Sequence, residues 1–207
     1  MKNKLIYFSN SKLFSRKANS IQVVKMCNAL KNKFDVTLCA YSNKYFNDIN
    51  KFYGVDSNFL IENYYFEKFK YLRIFNPLII LLRKKSQRKN IIVFSRNRFG
   101  AFFSVILKFD FFYEIHNKPN NKINSLIESF ILKSIYCKKI IFISEALKKM
   151  YVDSKLYNFD LKKSAVLHDG ADFRKKPKTN SKKVEIGYVG HLYKGRGIDL
   201  IVELAKR

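Results

Sequence analysis

Short apolar runs that alternate with helical patterns are the feature that most constrains this chain. Leu5–Phe8, Phe34–Ala40, Ile91–Ser95, Phe111–Ile115, Ile140–Ile143 and Ala165–His168 read as strands. Between them, Ser20–Lys31, Leu78–Arg88, Phe99–Lys108, Ile123–Tyr136 and Glu145–Val152 read as helices, most of them with apolar residues at helical spacing. Strands this short and apolar must be covered on both faces, which predicts a parallel sheet with helices on each side. The expected fold class is therefore α/β, a doubly wound, Rossmann-like sheet whose ligands bind beyond the carboxyl ends of its strands. Ser144 is placed to cap the helix after it, and Asn19 or Ser20 to cap the first helix. Residues 41–76 mix polar and aromatic side chains and sustain no period.

Chain organisation follows from one polar stretch. From Arg174 to Lys183 there is no apolar side chain and six of ten positions are basic, so the segment cannot bury itself. The reading is a first domain over residues 1–172, a basic linker over 173–183, and a strand–helix unit over 184–207. That last unit carries Ile186 to Val189 as a strand, then a turn with Gly190, His191, Lys194, Gly195 and Arg196, then a helix from near Ile198. Glycines let a backbone come close to a ligand, and free N–H groups at a helix start favour negative charge. Gly190, His191, Lys194 and Arg196 are thus candidate phosphate ligands.

Several strand ends in the first domain carry polar residues. Glu114, His116 and Asn117 close one strand, where a histidine can bond a sugar hydroxyl or move a proton. Arg16, Ala18, Asn19 and Ser20 form the loop after the first strand, a place where ligand contacts concentrate. Asp169 and Gly170 follow the last strand of the domain, with Gly170 expected at positive φ and Asp169 in a local side-chain turn bond. Arg96 and Arg98 follow a further strand, but two arginines among so many cations are weak evidence. No hydrolytic triad, Walker motif, zinc spacing or G-x-G-x-x-G fingerprint is present.

Five segments, in order and spacing, resemble the retaining GT-B glycosyltransferases of family 4. They are Ala18–Gln22 with Met26–Leu30, Glu114–His116, Ile141–Leu147, Val166–Asp172 (similar to an "IPNGVD" turn) and Ile186–Asp199 (similar to "GxL…KGxD"). His191 stands where that family more often has Arg. The resemblance implies transfer of a sugar from a nucleotide sugar to an envelope glycan or lipid-linked acceptor, with retention and with no metal or other cofactor. It implies that His116 touches the transferred sugar and that Lys194 and Arg196 offset the diphosphate charge. It also places a donor-binding E-x7-E pair beyond the last residue of this sequence. The chain as written is then expected to be partial and inactive alone, or to pair with a separately encoded C-terminal half.

Charge bears on partners. Lys and Arg outnumber Asp and Glu 41 to 16, giving +25, which attracts polyanions. The same balance suits a sequence rich in Lys, Asn, Ile and Phe for compositional reasons alone. Arg83, Lys84, Lys85, Arg88 and Lys89 form the candidate anchor for an anionic membrane surface, or else a solvated helix end. The expected location is cytoplasmic, with peripheral membrane contact. The alternative from another class is a non-catalytic basic module for nucleic acid or membrane, marked by steep salt dependence and indifference to nucleotide sugars; specific nucleic-acid recognition is not expected. Cys27, Cys39 and Cys137 are few, separated and apolar in context, which predicts buried free thiols.

Overall fold

The computed structural model describes residues 2–42, 49–56, 58–170, 187 and 197–206. The chain divides into two units, Met1–Gly170 and Ala171–Arg207. The first contains β1 (Lys4–Lys12), α1 (Ala18–Leu30), β2 (Asp35–Tyr41), α2 (Ile49–Tyr53), β3 (Leu60–Asn63), α3 (Asn76–Arg83) and β4 (Ile91–Ser95). It continues with α4 (Arg98–Leu107), β5 (Asp110–Ile115), α5 (Lys122–Leu132), β6 (Cys137–Phe142), α6 (Glu145–Val152) and β7 (Ser164–Val166). Among the described residues of the second unit is α7 (Ile198–Ala205), entered through Gly197 at φ 73°. The basic linker and the turn carrying Gly190, His191, Lys194 and Arg196 lie outside the described residues.

The strands form a parallel sheet in the order β3-β2-β1-β4-β5-β6-β7. Alternate residues of β1 feed opposite faces, as a period of two requires. Leu5 and Tyr7 pack with Val23, Val24 and Cys27 of α1. Ile6 and Phe8 pack on the other face with Ile80 and Leu81 of α3, Ala101 and Phe103 of α4, and Ile131 of α5. Both faces are covered, so the doubly wound reading holds. The winding direction reverses between β1 and β4, whose carboxyl ends flank the crevice where such sheets take ligands.

Several boundaries differ from expectation. α1 begins at Ala18 after Lys17, with no side-chain cap, so neither Asn19 nor Ser20 caps it. Ser20 instead points inward, its hydroxyl 2.5 Å from that of Tyr53. The expected helix Leu78–Arg88 ends at Arg83 and gives way to a 3-10 turn, Lys85–Asn90. Pro77 suits the first helical turn, and residues 84–90 hold no apolar side chain that would bury a continuing face. α5 stops at Leu132 instead of reaching Tyr136, because the chain must turn into β6 at Cys137; Ile135 is left 73% exposed. The unreadable stretch contains the edge strand β3, whose Leu60 is 67% exposed and gives no buried period. Ser144 caps α6 as expected, its oxygen accepting Leu147 N–H at 3.2 Å. All three cysteines are free and buried.

Candidate functional site

The crevice between β1 and β4 is built by close backbone approach. Arg96 N–H donates to Phe8 O at 3.0 Å, continuing the β4–β1 ladder past Ser95. Asn97 Nδ2 donates to Asn10 Oδ1 at 2.7 Å, while Asn97 Oδ1 accepts Phe99 N–H at 2.9 Å and Gly100 N–H at 3.4 Å to cap α4. A side chain at Gly100 would put its Cβ 2.5 Å from Ser95 Oγ and 3.0 Å from Phe8 Cδ2, so only glycine fits this approach. The cap fixes the β4–α4 turn and thereby the directions of Arg96 and Arg98 on either side of Asn97.

Arg96 lies at the centre of a charged cluster on the α1 side of the sheet edge. Its Nε is 3.3 Å from Glu114 Oε1 and 2.9 Å from His116 Nε2, and its Nη2 donates to Gln22 Oε1 at 3.1 Å. Glu114 Oε1 is 2.5 Å from His116 Nε2. A ring nitrogen holds either a proton or a lone pair, and the carboxylate requires the proton. His116 is therefore assigned as protonated at Nε2 with Glu114 as acceptor, and Arg96 Nε also donates to that carboxylate. His116 Nδ1 then faces Arg96 Nη2 at 3.3 Å. Gln22 Nε2 in turn donates to Asp169 Oδ1, which links the loop after β7 to α1.

Burial sharpens this geometry. The Arg96 side chain is 9% exposed, Glu114 4% and His116 23%, so the imidazole is the open end of an otherwise enclosed pair. Arg96 Nη1 and Glu114 Oε2 are buried without a hydrogen-bond partner, unlike most buried polar atoms. Beneath them, burial and then the Glu114 charge push the Tyr7 hydroxyl well above the usual tyrosine range, against Arg96, so it stays protonated. Burial also raises the Cys27 thiol, with Arg96 only partly opposing, which leaves it inert as a nucleophile.

The structure thus joins Glu114, His116 and Asp169 through Arg96 and Gln22, two residues the sequence reading did not select. Arg96 had a signal, its position just past a strand end; Gln22 had one only in closing Ala18–Gln22, a segment that resembles the glycosyltransferases. Arg16, Ala18, Asn19 and Asn117 are exposed beyond the carboxyl ends of β1 and β5, whereas Ser20 is buried against Tyr53. Gly170 does not take the expected positive φ. Residues 167–170 form no turn, and the Asp169 carboxylate reaches across to Gln22 instead of bonding locally. Of the basic segment, Lys84 pairs with Glu62 at 3.5 Å and Arg83 lies over the Tyr65 ring at 4.7 Å. Lys85, Arg88 and Lys89 lie in the turn leading into the amino end of β4, where Gln87 accepts from Lys4 at 3.0 Å. Among the described residues, no three His, Cys, Asp or Glu side chains are grouped as a metal site.

No protein-family model and no curated protein matches the sequence. Solved structures do match in fold. Anabaena HepE, in complex with UDP and glucose, aligns at TM-score 0.56 and 12% identity over 82% of this chain and 45% of that one. A glycosyltransferase from Rickettsia africae aligns at 0.53 and 14%, covering 81% and 43%. The lipopolysaccharide outer core galactosyltransferase WaaB, in its apo form, aligns at 0.51 and 11%, covering 86% and 50%. The chain spans about half the length of these proteins. What the likeness shows is the fold: a doubly wound, Rossmann-like α/β sheet matching about half of a GT-B glycosyltransferase structure.

Proposed function

We propose that this chain is the acceptor-side part of a glycosyltransferase that moves a sugar from a nucleotide sugar to an envelope glycan or lipid-linked acceptor. The observation that carries the reading is the Arg96–Glu114–His116 cluster at the carboxyl edge of the sheet, on a fold shared with glycosyltransferases. HepE's complex with UDP and glucose makes a nucleotide sugar the natural donor class to test. Glu114 fixes the imidazole, and His116, the least buried of the three, meets the sugar through its ring. Retention of configuration, independence of metal, and diphosphate contacts from Gly190, His191, Lys194 and Arg196 belong to the same proposal and rest on resemblance to family 4.

The test is transfer of labelled sugar from a panel of nucleotide sugars to cell-envelope extract, using the full-length gene product. His116→Ala is expected to lower turnover about 100-fold or more, the usual loss on removing one preorganised polar contact from a transition state. Arg196→Ala is expected to reduce it as well. Unchanged turnover in His116→Ala would remove the cluster from the active site.

A further inference from the structure

The segment between β3 and α3 presents six consecutive exposed residues: Lys68, Phe69, Lys70, Tyr71, Leu72 and Arg73. Phe69 is 64% exposed and Tyr71 85%. Large apolar side chains so exposed are normally scattered singly, and here they alternate with cations on one short segment. The segment is also held in shape. Asn76, fully buried, accepts Phe66 N–H at 2.9 Å and donates to Arg73 O at 3.1 Å. The Arg73 guanidinium donates to Glu67 O at 2.9 Å through Nε and lies 5.6 Å from the Tyr41 ring centre. A tie at each end means that little ordering entropy is lost when the segment meets a partner.

We propose that residues 68–75 are a docking element for an anionic lipid bilayer. Aromatic rings settle at the headgroup level, where they are half wetted, while the interleaved Lys68 and Lys70 meet lipid phosphate. A second copy of the chain is a poor occupant, because the cations of two such segments would repel. Single-stranded nucleic acid is held in basic grooves that track its backbone, whereas the hollow beside this segment is lined by the Glu67 carboxylate next to Lys68. Orientation adds to the case. The segment leaves the carboxyl end of β3, and Arg16 and Lys17 are exposed beyond the carboxyl end of β1. The edge carrying His116 therefore turns toward the bilayer. Lys85, Arg88 and Lys89 are at the amino edge and would turn the site away. The consequence that an acceptor reaches the site from the membrane rests on the glycosyltransferase reading; the docking itself does not.

The sequence contains no Trp, so Tyr71→Trp in this 207-residue chain gives a single reporter. Vesicles containing phosphatidylglycerol are expected to shift its emission to the blue, with quenching by brominated acyl chains, and pure phosphatidylcholine is expected to leave it unchanged. Adding Lys68→Gln and Lys70→Gln should weaken vesicle binding about thirty-fold, from about 1 kcal/mol per cation. Lys85→Glu with Lys89→Glu should change it by less than about threefold. No shift with anionic vesicles would overturn the proposal. So would loss of binding only in the amino-edge variant, or a shift caused by a single-stranded oligonucleotide and not by vesicles. Binding is read without nucleotide sugar, so a failure here is separable from a failure of sugar transfer.

Discussion

Two arginines that flank one helix cap meet two buried glutamates with opposite outcomes. Arg98 Nε lies 2.5 Å from Glu128 Oε2, and Glu128 also accepts from Tyr113 at 3.1 Å and Tyr151 at 3.0 Å. That carboxylate is wholly buried and both of its oxygens are bonded. Glu114, with Arg96, keeps one oxygen without a hydrogen-bond partner and shares the other with a partly exposed histidine. The first network is closed and joins β5, α4, α5 and α6. The second opens toward the crevice. A satisfied buried charge network specifies packing, while an incomplete one at a sheet edge is positioned for a ligand.

Removing the carboxylates separates the two roles. Glu128→Ala strands a guanidinium and two hydroxyls and should cost about 3–5 kcal/mol in urea unfolding, as for a broken buried pair. Glu114→Gln keeps the shape and should cost less, about 1–3 kcal/mol, while lowering sugar transfer far more than its stability loss explains. Equal stability costs with unchanged transfer would erase the distinction. Gly100→Ala pushes Ser95 and Phe8, which seat the turn shared by both arginines, and should cost about 1–3 kcal/mol by overpacking. Asn97→Ala removes the α4 cap between them for about 1 kcal/mol; a calorimetric scan reads both.

The smallest effect is in alkali. Burial first, and then the Glu128 charge, raise the Tyr113 and Tyr151 hydroxyls above the ordinary value of 10.0. Above the ordinary value and below the folded ones, these hydroxyls stay neutral only in the folded chain. The stability they carry is thus fully present below about pH 10 and is lost as pH rises toward the folded values. Cys137, pushed up to about 12 by burial, adds a loss that begins near its ordinary value of 9.0. In Glu128→Gln, tyrosinate absorbance should appear at lower pH than in the native chain.

Legibility in the sequence followed how local each signal was. The strands with buried runs, the Ser144 cap and the strand-end pair Glu114–His116 were readable because a period or a cap is encoded within a few residues. β3 was not, since an edge strand with exposed Leu60 has no apolar face to repeat. Gln22 and Asp169 are 147 residues apart, so only the folded sheet brings them together. Arg96 and Arg98 looked alike in a chain with 41 cations. The cap at Asn97 and the two-faced sheet are what send them to different partners. Ser20 misled because a small polar residue near a helix start can cap or can bury, and Tyr53 decided the matter.

The most direct test of the central claim is sugar transfer by the full-length protein, comparing His116→Ala with the native chain at matched thermal stability. The account predicts turnover reduced about 100-fold or more with an unchanged melting temperature. Native turnover in His116→Ala would contradict it and move the active site away from this edge of the sheet.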